Sequence, residues 1–342
     1  MEMMAGVVYN DMMIHTIFSY MGKKTYIYVG TVCSTWNTVY KEYAPLMETS
    51  IEEATESIRR MEDSPPPMTT WSFYHVSRNG NLESMKWLKS RGYPWDHWTF
   101  QSAAENGNLD NMKWLKDEGC PWDSGAFNAA ASKGNLDNME WMKNEECSWN
   151  VGTFNSAAKN GNLENMKWLR DEGCTWGCNT FYEAIKNGNL ENMKWLRSSG
   201  CPWGFNTLCK ASKKGDLETM KWLRSEGCDW GGFTFNYAAE NGCLENMKWL
   251  REEGCQWGHQ TFYKASLNGN LDNMKWLKSE GCEWCNITFS AAAKSRKLEN
   301  MKWLLEQGCP WGFGTFHEAS KTGEDDIIQW LKDNGCPRGI LM

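Results

Sequence analysis

From about residue 71 to the C-terminus, apolar and polar positions repeat with one strict period. The stretch Gly161-Asn162-Leu163-Glu164-Asn165-Met166-Lys167-Trp168-Leu169 recurs almost letter for letter, and its tryptophan falls at Trp87, Trp114, Trp141, Trp168, Trp195, Trp222, Trp249, Trp276, Trp303 and Trp330. The step between them never slips. A fixed period of this length predicts a stacked array and not one globular core. At about 100° per residue, Leu163, Met166, Trp168 and Leu169 spread over more than half a helix circumference. This helix must therefore be covered on several sides. Asn162 is placed to cap its start, with Glu164 in the first turn, and Gly173 to end it. A shorter helix is predicted ahead of it, from Thr153-Phe154 to Asn160-Gly161, with Phe154, Ala157 and Ala158 as a narrow apolar stripe. Its alanines allow a neighbour to approach closely. In two copies a capping box is expected to open that helix, Thr180 with Glu183 and Thr315 with Glu318. Each copy is thus a helix–turn–helix too small to offset the entropy of ordering its own backbone, and it needs neighbours on both sides.

The pattern Thr-Phe-x-x-Ala-Ala-x-x-Gly-Asn-Leu-Glu-x-Met-Lys-Trp-Leu-x-x-x-Gly-Cys resembles the ankyrin repeat, over about 270 of the 342 residues. The copies here are shorter than an ankyrin repeat, which runs to about 33 residues. The missing stretch falls between Gly173 and Thr180, where that family places its β-hairpin finger. The resemblance implies an all-α solenoid of stacked helix-turn-helix repeats with little or no strand, here ten copies over residues 71–342. The last copy departs from the pattern, with Asp325 for the leucine and Ile327-Ile328 for Asn-Met, as a terminal cap would. Inside the array, Glu146 replaces a closing glycine and Arg296 the glycine between helices, so a strained turn is expected at Arg296.

Residues 1–47 lie outside the repeat. Ile17-Phe18-Ser19-Tyr20-Met21, then Lys23-Lys24, then Val32-Cys33-Ser34-Thr35-Trp36, resembles the F-box, a small three-helix motif that docks on the Skp-type adaptor of cullin–RING ubiquitin ligases. The resemblance implies adaptor contacts at Ile17, Phe18, Met21, Val32, Cys33 and Trp36. The other reading of this segment is a helical cap over the first repeat. Residues 48–70 read as a linker ending in the stiff Pro65-Pro66-Pro67.

Nine of the 14 cysteines keep the step of the repeat, from Cys120 to Cys336. Stacked helices lie about 10 Å apart and a disulfide needs Cα atoms within about 7 Å, which excludes a disulfide ladder. Buried free thiols acting as small apolar groups are expected, and reduced cysteines place the chain in the cytoplasm or nucleus. Cys282-Glu283-Trp284-Cys285 and the looser Cys174/Cys178 pair lack the further ligands of a zinc site. The histidines share no short spacing with a nucleophile or carboxylate. No enzyme activity, cofactor or metal is expected.

The net charge of −7 argues against nucleic acid as a partner. Lys113, Lys167 and Lys194 each follow an acid by three residues, which describes a solvated, locally neutralised face. No apolar run approaches the roughly 18 residues that a membrane helix needs. Neither a membrane span nor a signal peptide is expected, and the chain should be a monomer. The first tryptophan ladder is expected in the core and the second, from Trp95 through Trp311, partly exposed. Asn165 and its equivalents fall inside the apolar arc, where a hydrogen-bonded ladder between copies is one reading.

Differences among the copies separate scaffold from candidate surface. They gather just after the second tryptophan and in the first helix, which makes His97, Trp98, Gln101, Tyr182, Phe205, Phe233, His259, Tyr263, Phe313 and His317 the candidate target-binding residues. Neutral drift at tolerant turns is the competing reading. Together these features predict a non-enzymatic protein–protein interaction adaptor, with a target on the repeats and a ligase adaptor on the F-box-like module. The alternative is a plain scaffold or sequestering protein whose N-terminus is only a cap.

Overall fold

The computed structural model describes residues 68–258, 260–285, 287–312 and 314–338. Among them are 20 helices and no strand. The F-box-like segment lies outside the described residues. The chain divides between Ser148 and Trp149 into two compact units.

The first unit holds α1 (Thr70–Asn79), α2 (Leu82–Ser90), α3 (His97–Asn106), α4 (Leu109–Asp117), α5 (Ser124–Lys133) and α6 (Leu136–Asn144). The second holds α7 (Val151–Asn160), α8 (Leu163–Asp171), α9 (Cys178–Asn187), α10 (Leu190–Ser198), α11 (Thr207–Lys214), α12 (Leu217–Ser225) and α13 (Thr234–Asn241). It continues through α14 (Leu244–Glu252), α15 (Thr261–Asn268), α16 (Leu271–Ser279), α17 (Thr288–Lys294), α18 (Leu298–Glu306), α19 (Thr315–Thr322) and α20 (Asp325–Asp333). Odd-numbered helices are the first of each copy and even-numbered helices the second.

Inside each unit the first helices stack on one another, α1 on α3 on α5, and α7 on α9 on through α19. Their facing residues are small, Ala157 and Ala158 for example, so the backbones approach closely. The second helices stand farther apart because Met166, Leu169 and their equivalents fill the space between, all fully buried. A buried phenylalanine of most first helices, such as Phe154 or Phe235, completes the core, and in α11 Leu208 takes its place.

The second helices begin as their sequence predicts. Asn162 Oδ1 accepts from the Glu164 and Asn165 backbone N–H groups at 2.9 and 3.3 Å. Of the first helices, α11, α13, α15, α17 and α19 open at the predicted threonine, whereas α3, α5, α7 and α9 open two residues earlier. Helix α9 opens at Cys178, and Thr180 is its third residue, whose hydroxyl accepts from the N–H of Gly177 at 3.1 Å. Thr315 sits at the start of α19 and donates to Gly312 O at 2.9 Å, while Glu318 pairs with Lys321 at 2.9 Å. The expected capping boxes are therefore absent: each threonine is turned back on the turn before it, and each glutamate toward a lysine one turn on.

The asparagines in the apolar arc form a ladder, but not with one another. Asn192 Nδ2 donates to Gly161 O at 2.6 Å, and Asn273 reaches Gly242 O at 2.6 Å. In the first unit Asn111 reaches Gly80 O and Asn138 reaches Gly107 O, both at 2.8 Å. Each amide thus satisfies a carbonyl left open where the preceding first helix ends. A second amide reinforces the joint, Asn187 Nδ2 donating to Asn160 O at 3.0 Å. Gly161 has a φ of 88°, and a side chain there would collide with Asn187, so the glycine is required twice over.

Candidate interaction surface

The chain leaves each second helix through the cysteine and the second tryptophan, and the turn that follows presents the residues that differ among copies. The cysteine anchors it. Cys120, Cys147, Cys174 and Cys201 donate to the carbonyls of Asp96, Asp123, Asn150 and Gly177 at 3.6 to 3.8 Å. All nine repeat-locked cysteines are free and buried, and burial pushes most of their thiols up to about 12. They are buried free thiols, as expected. Cys178 is exposed and Cys285 half-buried. No group of three or more potential metal ligands stands together among the described residues.

Both tryptophan ladders are half-buried, which corrects the expectation that the first lies in the core. The reason is a shared aromatic column along the edge of the second helices. Trp176 meets Phe154 of its own copy edge-on at 5.1 Å and Trp195 of the next copy at 6.0 Å. In the first unit Trp95 likewise meets Phe73 at 5.2 Å and Trp114 at 6.1 Å. A cation lies over the second tryptophan in most copies: Lys89 over Trp95 at 3.4 Å, Arg197 over Trp203 at 3.7 Å, Arg251 over Trp257 at 3.9 Å and Lys278 over Trp284 at 3.6 Å. This cation escaped the sequence reading, although a lysine or arginine recurs two residues after the first tryptophan. In copy nine Leu305 takes its place.

Beyond that column the turn carries side chains with no role inside the repeat. Trp98 is 49% exposed, Val151 43%, Phe205 79%, Phe233 57% and Ile287 36%. Val151 and Phe205 stand two residues after a second tryptophan, and Trp98, Phe233 and Ile287 three, so they occupy two adjacent positions of the same turn. Trp98 belongs to the first unit, where its ring lies against His97 with centroids 5.0 Å apart. The other four belong to the second. His259 and Phe313 lie outside the described residues, as do the six residues assigned to adaptor contact.

Gln101, Tyr182, Tyr263 and His317 occupy one row of the first helices. Much of that row's chemistry is directed at the next copy. Asn155 accepts from Thr180 Oγ1 at 2.7 Å and Asn236 from Thr261 Oγ1 at 2.6 Å, while Cys209 meets Thr234 at 3.2 Å. Tyr182 is half-buried and its hydroxyl accepts from the Asn206 N–H at 3.4 Å. Gln101 and Tyr263 are half-buried, and His317 is exposed.

Residues 181–261 match the family model of ankyrin repeats (3 copies). The matched stretch takes in α10 through α14. No curated protein matches the chain. Among solved structures, the pentatricopeptide repeat protein PPR10 in complex with an 18-nt psaJ RNA element is 14% identical, with a TM-score of 0.45. The same protein from maize, also 14% identical, gives a TM-score of 0.35. The chain spans 57% of the length of those chains, and 88% and 90% of this chain is covered. The likeness reaches no further than a helical-repeat build.

The exclusion of nucleic acid as a partner is withdrawn. A helical-repeat protein among the matches is crystallised on RNA, and a net charge of −7 does not decide the point for this chain. Net charge sums every face of a molecule, whereas a binding surface is local.

Proposed function

We propose that this chain is a non-catalytic interaction protein that holds a protein partner on the turns and first helices of its repeats. The observation that supports this most is the row of Val151, Phe205, Phe233 and Ile287 in the second unit. These are apolar side chains left exposed at two adjacent positions of the same turn in their copies. Large apolar side chains on a rigid frame serve as interface anchors, and a few of them dominate the affinity. The frame is fixed by the buried thiol and the aromatic column beneath each turn, so specificity can change with one or two residues per copy while the stack does not.

The test places a photo-crosslinking amino acid at position 205 or 233 of the full chain in cells, with position 332 as control. Specific adducts at the first two positions identify the partner. Phe205→Ser with Phe233→Ser should then weaken its binding by about 2 kcal/mol or more without changing the circular dichroism. Adducts no different from the control, or unaltered binding by the double variant, would overturn the reading.

The order and spacing of Ile17, Phe18, Met21, Val32, Cys33 and Trp36 support a further step, in which this segment docks on a Skp-type adaptor and the partner becomes a ligase substrate. Calorimetry of the full chain against that adaptor, with Ile17, Phe18 and Trp36 changed to alanine as comparison, separates this reading from a plain scaffold. Binding lost in the variant supports the ligase role; no binding by the unaltered chain leaves the scaffold.

A further inference from the structure

We infer that α11 and the turns at its start form a docking patch for an acidic peptide segment carrying an apolar side chain. The inference rests on the interaction role proposed above and names the chemistry of the partner at one place on it.

Helix α11 carries Lys210, Lys213 and Lys214 and no acidic residue. Elsewhere lysines are neutralised in place: Lys86, Lys194 and Lys302 each meet the acid three residues before them at 2.8 to 2.9 Å. Those lysines stand on second helices; on α11 the residues three before Lys210 and Lys213 are Thr207 and Lys210, so neither lysine has an acid at that spacing. Lys214 is occupied, its ammonium donating to Ile185 O at 2.9 Å where other copies use asparagine. Lys210 and Lys213 are exposed, and their contacts are with rings: Tyr182 at 5.8 Å and Tyr237 at 5.4 Å. These contacts hold two ammonium groups at the surface without cancelling their charge.

The apolar half of the patch adjoins them. Phe205 immediately precedes the α11 cap residue, Asn206, and is the most exposed large apolar side chain described, with 79% of its surface free. The turn that carries Phe233 packs on it: a Cβ added to Gly231 would stand 3.1 Å from Asn206 Oδ1 and 3.6 Å from Phe205 O. From Phe205 to Lys213 is eight residues, about 12 Å along a helix. An extended segment of about four residues covers that length, which sets the spacing between its apolar side chain and its carboxylates.

A nucleic acid would need cations running across several copies to follow its phosphates. The first helices on either side do not provide them. In α9 Lys186 is paired with Glu183 at 2.5 Å, and α13 carries Glu240 and no cation. Helix α11 concentrates three lysines where α7, α15 and α17 carry one each, which favours a short acidic peptide.

The test selects peptides from a random library on the full chain. Binding of the selected peptides is then measured on the full chain and on two double variants, Lys210→Glu with Lys213→Glu and Phe205→Ser with Phe233→Ser. A single-stranded RNA of mixed sequence is titrated in parallel. Because all four residues are exposed, the fold should survive both variants, and circular dichroism checks this. The expected result is enrichment of Asp and Glu near an apolar residue, with affinity about tenfold weaker on the lysine variant, about 1.4 kcal/mol, and weaker in salt. Selection without acidic enrichment, or equal affinity on the lysine variant, overturns the patch. If affinity then still falls on the phenylalanine variant, the broader interaction role stands; if neither variant matters, both fall. RNA binding tighter than the peptides and lost on the lysine variant overturns the patch in favour of nucleic acid.

Discussion

The side-chain amide of Asn192 donates to the carbonyl of Gly161, 31 residues earlier, at 2.6 Å. This bond joins two copies at the point where the first helix of one has run out of internal partners. Asn192→Ala leaves that carbonyl open and should cost about 1–3 kcal/mol, read from the urea midpoint. Asn165 is the internal comparison, since its side-chain amide is buried with no hydrogen-bond partner. Asn165→Ala should cost clearly less. In copy six Thr219 stands at this position and bonds to Asp216 at 2.8 Å, so Thr219→Asn offers Gly188 an amide and should add about 1 kcal/mol.

Among the described residues, two other than glycine adopt left-handed backbone, Glu146 and Arg296, both at φ 60°. Both replace glycines of the repeat. For an L-residue that conformation costs about 1–2 kcal/mol, and glycine returns part of the gain through the entropy of the unfolded chain, about 0.4–1 kcal/mol. Arg296→Gly and Glu146→Gly should each raise stability by up to about 1 kcal/mol. A lowered melting temperature in either would contradict this. Arg296 also stands 3.7 Å from Glu324, but both are exposed and the pair contributes little.

What could be read from sequence was what one copy determines by itself. The regular period, the Asn162 cap and the closing Gly173 depend on neighbours along the chain, and all three are where the pattern put them. The amide of Asn192 acts between copies brought together only by folding, so its spacing carries meaning only once the stack is known. The same limit explains Thr180, which reads as a cap because a glutamate follows at the right spacing. In the fold its hydroxyl is committed to Gly177 and Asn155, and the helix begins two residues earlier. For the surface, exposed Trp98, Phe205 and Phe233 are among the candidates that comparison of the copies gave, and exposed Val151 and Ile287 are not. Sequence could not show that Asn155, Cys209 and Asn236 turn toward the next copy.

The cation over each second tryptophan should contribute by more than its charge. Arg251 stacks on Trp257 at 3.9 Å and only just reaches Glu280, at 4.0 Å. Arg251→Ala should destabilise by about 0.5–1 kcal/mol, and the loss should persist at high salt, where an exposed ion pair would be screened. Arg251→Lys should retain most of the stability, because Lys278 makes the same contact with Trp284 at 3.6 Å. A loss that disappears at high salt would assign the effect to the ion pair instead.

The buried thiols give the fold a defined alkaline limit. Burial pushes Cys120, Cys147, Cys201, Cys282 and Cys309 up to about 12 from an ordinary 9.0, so the folded state holds these protons more tightly than the unfolded chain does. Below pH 9.0 both states keep them and the thiols add no pH dependence. Between 9.0 and about 12 the unfolded chain ionises first, so stability must fall as pH rises through that window, more steeply with each thiol. Cys201→Ala removes one proton from this linkage, and its urea midpoint should fall less steeply with pH than that of the parent. A thiol reagent at neutral pH supplies the independent check: exposed Cys178 should react quickly in the folded chain, and the ladder cysteines only as it unfolds. Rapid reaction of the ladder in native protein would show that these turns open, and the anchoring role given to the thiols would fail.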